Sequence, residues 1–222
     1  MEVIEKALKE GRKTLSEYES KIVLSSYGIP VTREVLAHNL DELRKASAQI
    51  GYPFVLKGCS PVIAHKTEKG LILTDIRNEK EAGEGFEWIM ARLDKKEGSV
   101  LVQEMVKGKR ELVMGLTRDP QFGPCVMFGL GGIFTEVMQD VSFRVAPLER
   151  QDAMEMMDEI KAHKILEAVR GMEAADRDLL ADMLINVGRI GLEVEEIKEI
   201  DINPVILAGS KAVAVDALVI LS

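Results

Sequence analysis

The sequence predicts a mixed α+β protein built as two lobes. Three observations carry this. The first hundred residues alternate as helix, strand, helix, strand, strand, helix. The second half opens on strands, passes through two helical segments and closes on two more β-rich runs. The order fits neither the βαβα rhythm of a doubly wound parallel sheet nor an all-β sandwich. With no internal repeat, residues 1–222 read as one domain, and that length supports a sizeable core. The junction near residues 100–107 divides an N-terminal lobe, 14–103, from a C-terminal lobe, 104–222.

Each element has a local reason. Ser16 and Glu19 form a capping box, and the helix they open ends at Gly28 with Pro30 beyond. "PVTREVLA" reads as a strand. Asn39 caps "LDELRKASAQI" and Gly51 closes it. "YPFVLKG" is a buried strand, with "GLILTDI" as its hairpin or near partner. "EKEAGEGFEWIMARLDKK" is a helix weakened by two glycines. "SVLVQEMV", "RELVMGLTRD" and "GPCVMFGL" are strands, the last two joined by a turn at Pro120 and Gly123. "GIFTEVMQDVSFRVAPL" continues as short strands. "ERQDAMEMMDEIKAHKILEAV" and "AADRDLLADMLINVGRIGL" are helical. "VEEIKEIDINPVIL" and "KAVAVDALVIL" are β-rich and joined by a Gly-Ser turn at 209–210.

Composition narrows the function. A net charge of −8, from 37 acidic and 29 basic residues, argues against a nucleic-acid binder. Cys59 and Cys125 stand far apart without zinc spacing, as free thiols of a reducing cytoplasm do. The charged N-terminus is no signal peptide. The longest apolar run, "GPCVMFGLGGIF", is too short to span a bilayer. A cytoplasmic protein is expected.

Several stretches bear chemistry. Lys57 ends an apolar strand, where it either snorkels to water or meets an anion such as phosphate. Glu104 and Glu111 in "VQEMVKGKRE" are edge-strand charges, or they flank a hinge strand whose backbone reads a base. Gly129, Gly131 and Gly132 form a turn, or a backbone that approaches an anion closely. Glu136 and Asp140 beside them read as solvated. Asp201, Asn203 and Asp216 lie in strongly apolar strands, where polar groups need partners. Asn203 and Asp216 facing each other across a hairpin would supply oxygen ligands to Mg²⁺, which completes its shell with water and phosphates. His38 and His163 read as structural or surface residues. His65 in "SPVIAHKTEKG" reads, from that stretch alone, as a loop histidine bonded to backbone.

Taken in order, "YPFVLKGCSPVIAHKTEKG", the block from Glu111 to Leu148, and "EIKEIDINPVIL" resemble the ATP-grasp domain of the nucleoside-diphosphate-forming acyl-CoA synthetases. More closely, the chain resembles the β subunit of ADP-forming acetyl-CoA synthetase, a family related to succinyl-CoA synthetase. The resemblance runs from about Thr14 to the C-terminus. It implies an ATP-grasp fold, with ATP or ADP held between two α+β lobes. It implies Lys57 on the nucleotide phosphates, Gln103 to Val106 as the adenine hinge with Glu104 and Val106 giving backbone bonds, and Glu111 on the ribose side. Gly131, Gly132, Glu136 and Arg144 would line the phosphoryl-transfer end, and Asn203 and Asp216 would hold Mg²⁺. His65, in a loop of the form SPxIxHK, would carry phosphate. The implied reaction is acyl-CoA + ADP + phosphate ⇌ acid + CoA + ATP, an acid–thiol ligation. CoA would bind a separate α subunit in an α₂β₂ assembly, and neither membrane nor nucleic acid takes part. The chain departs from the family at Leu71, where a second glycine is usual, and at Ala168-Val169, where "GYRG" is expected.

Two rivals stand beside this reading. A stand-alone ATP-grasp carboxylate ligase would bind its acid within this chain and have no need of His65. A non-catalytic nucleotide-sensing subunit would bind ATP without turnover. The acyl group, the choice of ADP over GDP and the physiological direction are not written in the chain.

Overall fold

The structure is a computed structural model that describes residues 1–60, 70–93, 98–132 and 139–222. In chain order the elements are α1 (Glu2–Lys9), α2 (Glu17–Ser26), β1 (Glu34–Ala37), α3 (Leu40–Ile50), β2 (Phe54–Cys59), β3 (Ile72–Ile76), α4 (Glu79–Met90), β4 (Ser99–Glu104), β5 (Arg110–Asp119), β6 (Gly123–Leu130), β7 (Val141–Val145), α5 (Arg150–Glu159), a 3₁₀ turn at His163–Leu166, α6 (Arg177–Glu193), β8 (Ile197–Ala208), β9 (Lys211–Ala214) and β10 (Leu218–Leu221). No helix among the described residues is long and apolar enough to cross a membrane.

The chain divides into two compact units. One comprises Met1–Leu15, Ser20–Val31 and Val106–Ser222; the other comprises Ser16–Glu19 and Thr32–Met105. The border at 105/106 lies two residues from the expected junction. The first 31 residues, however, belong mostly with the C-terminal unit rather than with a lobe beginning at 14. The reason is hydrophobic and long-range. Ile4, Ala7, Leu15, Val23, Leu24 and Ile29 are buried in the core of the C-terminal unit. Leu15 N–H donates to Val219 O at 3.0 Å and Leu221 N–H donates to Lys13 O at 2.8 Å.

In the N-terminal unit, four antiparallel strands run in the order β1-β4-β2-β3. Helices α3 and α4 begin on asparagine caps: Asn39 accepts from Glu42 N–H at 2.9 Å and Asn78 from Glu81 N–H at 3.0 Å. Their buried faces, Leu43, Ala46 and Ile50 on α3 and Ala82, Phe86 and Ile89 on α4, follow the helical period. Gly85 explains itself, because a Cβ there would lie 3.0 Å from both Leu56 and Leu73. Leu71, the departure from the paired glycines, is a core residue: it is 1% exposed, and Gly58 N–H donates to its carbonyl at 2.8 Å.

In the C-terminal unit the sheet runs β10-β8-β5-β6-β7, with β9 also on β8. One face buries Leu112, Met114, Leu116, Val126, Phe128, Ile200 and Ile202 with the apolar side chains of α5 and α6. Gly191 lets α6 come close, since a Cβ there would stand 2.9 Å from Pro124 Cβ and meet Leu116. The helix expected over 149–169 stops ten residues into α5. Asp140, itself buried, accepts from Lys161 N–H and Ala162 N–H at 2.7 Å each. These backbone donors are thereby taken by a carboxylate from the residue just before β7, and Ile160 turns extended. Arg110 then anchors the following segment. Its guanidinium is buried and donates to the carbonyls of Ile165, Glu167, Glu173 and Gly209 at 2.6–3.2 Å.

Candidate functional site

The second face of the C-terminal sheet carries its unusual polar groups. Strand alternation puts Ile200 and Ile202 into the core and turns Asp201 and Asn203 the other way. The register brackets their partners. Val205 pairs with Ala214 on one side, and Asp201 pairs with Leu218 on the other. Both ladders keep one count, so Asn203 falls opposite Asp216, in the short gap between β9 and β10. Val215 N–H donates to Pro204 O at 3.0 Å and holds the two strands together there. Asn203 and Asp216 are half-buried.

Asp201 is the third member of this cluster. Burial pushes its carboxyl up to about 6, and the carboxylates of Asp216 and Glu199 push in the same direction. Anionic oxygens gathered on a partly buried hairpin are an arrangement that a divalent cation relieves. One amide oxygen and one carboxylate suit Mg²⁺, which keeps water and phosphate in its remaining positions. No group of three or more His, Cys, Asp or Glu side chains able to hold a metal occurs among the described residues. A donor pair that uses an asparagine is compatible with that.

Glu111, Gly131 and Gly132 come together at the start of β5. Gly131 N–H donates to Glu111 O at 2.8 Å. A Cβ on Gly131 would lie 2.5 Å from Leu112 O and 2.6 Å from Leu112 C, so only glycine fits. Gly132 has φ +67, and a Cβ there would run into Glu111 Oε2. The glycines are thus required by a close backbone approach, and the Glu111 carboxylate lies against the turn they make.

In the N-terminal unit, Lys57 does not snorkel to water. It sits on β2, is 4% exposed, and its ammonium meets Glu17 Oε1 at 2.7 Å. Gln103 is buried on β4. Glu104 N–H donates to Arg33 O at 3.0 Å, and its carboxylate accepts from Arg33 N–H and Nε–H at 2.8 Å each. The Glu104 N–H is therefore committed. Val106 is half-buried.

Arg144 is not brought to the glycine turn. It shares with Ser142 the helix-facing side of β7, where its guanidinium binds Glu159 and Glu155 of α5. His65 and Glu136 lie outside the described residues. The sequence reading overlooked Glu17, whose only local signal was its place inside the Ser16–Glu19 capping box. It also overlooked Arg110, which looked like any charge in a basic turn.

The chain matches the ATP-grasp domain family over residues 6–221. It is 49% identical over 225 residues to the β subunit of acetate–CoA ligase [ADP-forming] I of Pyrococcus furiosus, a match covering 99% of this chain and 97% of the relative. It is 42% identical over 226 residues to acetate–CoA ligase [ADP-forming] I of Archaeoglobus fulgidus, covering 99% of this chain and 33% of that longer protein. The dinucleotide forming acetyl-coenzyme A synthetase 1 of Ca. Korarchaeum cryptofilum, solved with coenzyme A, Ca-AMPCP and HgCl⁺, has the same fold: TM-score 0.94 at 46% identity, covering 100% of this chain and 99% of the other. The same synthetase with coenzyme A and Mg-AMPPCP, its phosphohistidine segment pointing towards the nucleotide binding site, gives a TM-score of 0.88 at 47% identity over the same shares. With this likeness running from end to end, the chain belongs to the ATP-grasp family and, within it, to the ADP-forming acetate–CoA ligase β subunits.

Proposed function

We propose that this chain is the nucleotide-binding subunit of an ADP-forming acyl-CoA ligase, working in the cytoplasm with a CoA-binding α partner, as α₂β₂. The net reaction is acyl-CoA + ADP + phosphate ⇌ carboxylic acid + CoA + ATP. The observation that carries this reading is the 49% identity over nearly the whole length of a β subunit. The hairpin that sets Asn203 opposite Asp216 supports it from the geometry.

His65 relays phosphate in this reading. In the direction of ATP synthesis, its ring nitrogen carries the phosphoryl group delivered at the α partner. A terminal oxygen of ADP attacks phosphorus, the P–O bond forms as the N–P bond breaks, and the imidazole recovers its lone pair. Such a transfer asks for positioning and charge neutralisation more than for covalent chemistry. Lys57 meets phosphate oxygens, and the Gly131–Gly132 backbone approaches the nucleotide closely. The Gln103–Val106 segment and Glu111 hold base and ribose. Asn203 and Asp216 would hold Mg²⁺, which would supply positive charge against the phosphates. Glu136 and Arg144 belong to the transfer end in this reading.

The test is phosphoryl labelling of the purified chain with Mg²⁺ and γ-labelled ATP, beside His65→Ala and with a candidate α partner. Acid-labile, base-stable label on the wild type alone is the expected result. Wild-type chain that binds ATP yet stays unlabelled with its partner present would overturn the relay.

A further inference from the structure

The Lys57–Glu17 pair is more costly than a core needs. The Glu17 side chain is wholly buried and the Lys57 side chain is 5% exposed. Taking both charges out of water is expensive, and apolar side chains of similar volume would close the same space at least as well. A buried ion pair is therefore weak evidence for stability, and its charges ask for another use.

Its construction is specific. Ser16 and Glu19 fix the first turn of α2: Ser16 N–H and Oγ–H both donate to Glu19 Oε2 at 2.9 Å, and Glu19 N–H donates back to Ser16 Oγ at 3.3 Å. Glu17 lies in that turn, where the positive end of the helix dipole favours a carboxylate. Lys57 lies on β2, whose last residue, Cys59, is followed by Ser60 and then by residues 61–69 with His65. A lysine is a flexible four-carbon stem with three donors on its ammonium. A carboxylate at 2.7 Å on one side fixes where that charge stands.

We propose that Glu17 is a positioning residue for phosphoryl transfer: its buried carboxylate holds the Lys57 ammonium in place for the nucleotide phosphates. This rests on the reading of Lys57 as a phosphate ligand. Without Glu17, the lysine loses the carboxylate that lies 2.7 Å from its ammonium. Outer-shell partners that orient metal ligands are typically worth about 10–100-fold in affinity, and an effect of that order is expected for a carboxylate that orients a phosphate-binding lysine.

The experiment compares the full-length chain with Glu17→Gln, Glu17→Asp, Lys57→Met and the Glu17→Gln/Lys57→Met double variant. All are measured at a temperature where circular dichroism shows them folded. ADP with Mg²⁺ is titrated beside adenosine, which has the base and ribose but no phosphate. Glu17→Gln is expected to weaken ADP about tenfold or more and to leave adenosine unchanged. Glu17→Asp should recover part of the loss, and the double variant should bind ADP no worse than Lys57→Met alone. If Glu17→Gln does not fold, Glu17→Asp carries the comparison, with a smaller loss for ADP only. Lys57→Met weaker for ADP but Glu17→Gln unchanged would overturn the role of Glu17 and leave the reading of Lys57 standing. Equal losses for ADP and adenosine would mark Glu17 as structural only and overturn it too. Lys57→Met binding ADP like wild type would defeat the reading of Lys57 itself, and the inference with it.

Discussion

Asp201→Asn is the substitution whose effect can be worked furthest. The Asp201 carboxyl titrates at about 6 in the fold against an ordinary 3.8, first because it is buried and then because Asp216 and Glu199 are anionic. That displacement favours its neutral form in the fold by roughly 3 kcal/mol. The sign follows from linkage. The folded value is raised, so the contribution is fully present below 3.8 and is lost as pH rises through about 6. Wild type therefore carries an ionised, poorly solvated Asp201 at neutral pH, while Asp201→Asn stays uncharged throughout. In metal-free buffer with EDTA, the variant should be more stable than wild type by up to roughly 3 kcal/mol at pH 7.5, and the gap should close by about pH 4. Urea unfolding of both proteins across that range reads the difference, because groups that do not interact with Asp201 cancel between them. Added Mg²⁺ should narrow the gap at pH 7.5 by stabilising the wild type. A gap independent of pH, or no gap at all, would refute the electrostatic reading of the hairpin.

The remaining predictions follow from single contacts. Asp216→Asn removes the one carboxylate of the proposed pair, so Mg²⁺-dependent ATP binding should weaken about tenfold or more, measured by magnesium titration at fixed ATP. Gly132→Ala and Gly123→Ala both strain a positive φ, but only the first drives a methyl into Glu111, because the space around Gly123 is open. Nucleotide affinity should fall in Gly132→Ala and hold in Gly123→Ala. Arg110→Met leaves four carbonyls without their charged donor, and urea unfolding should show a loss of at least about 3 kcal/mol. Gly191→Ala forces α6 away from Leu116 and Pro124, at roughly 1–3 kcal/mol for overpacking, less about 1 kcal/mol for the better helix former. A thermal melt unchanged from wild type would show that the helix–sheet approach has slack.

The local grammar of the chain was legible because short-range interactions write it. Asn39 three residues from Glu42, and Ser16 three from Glu19, announce helix starts by hydrogen bonds that span a single turn. The β8–β9 hairpin could be read from its two apolar runs and the turn at 209–210. Alternation then gives Asp201 and Asn203 one face, so an oxygen-rich hairpin was visible before any coordinates. The block from Glu111 to Leu148 was distinctive enough in the order of its pieces to suggest the family.

What stayed hidden was set by contacts between distant residues. Glu17 and Lys57 are forty positions apart, and nothing within either stretch says that both charges are buried together. The helix expected over 149–169 has the right period and composition, yet Asp140, just ahead of β7, captures backbone donors at Lys161 and Ala162. The first 31 residues carry no mark of joining the C-terminal core; burial of Ile4, Ala7, Leu15 and Leu24 decides that. Nothing in the stretch around Arg144 announces the α5 carboxylates it binds; one step of strand alternation turns it onto Glu155 and Glu159. The sequence by itself thus determined most of the elements, the helix starts at Ser16 and Asn39 and the polar hairpin, because hydrogen bonds and hydrophobic period act within a few residues. Only the tertiary structure decided which charges meet, which face each side chain takes and which core each segment joins, because burial is a property of the whole packed unit.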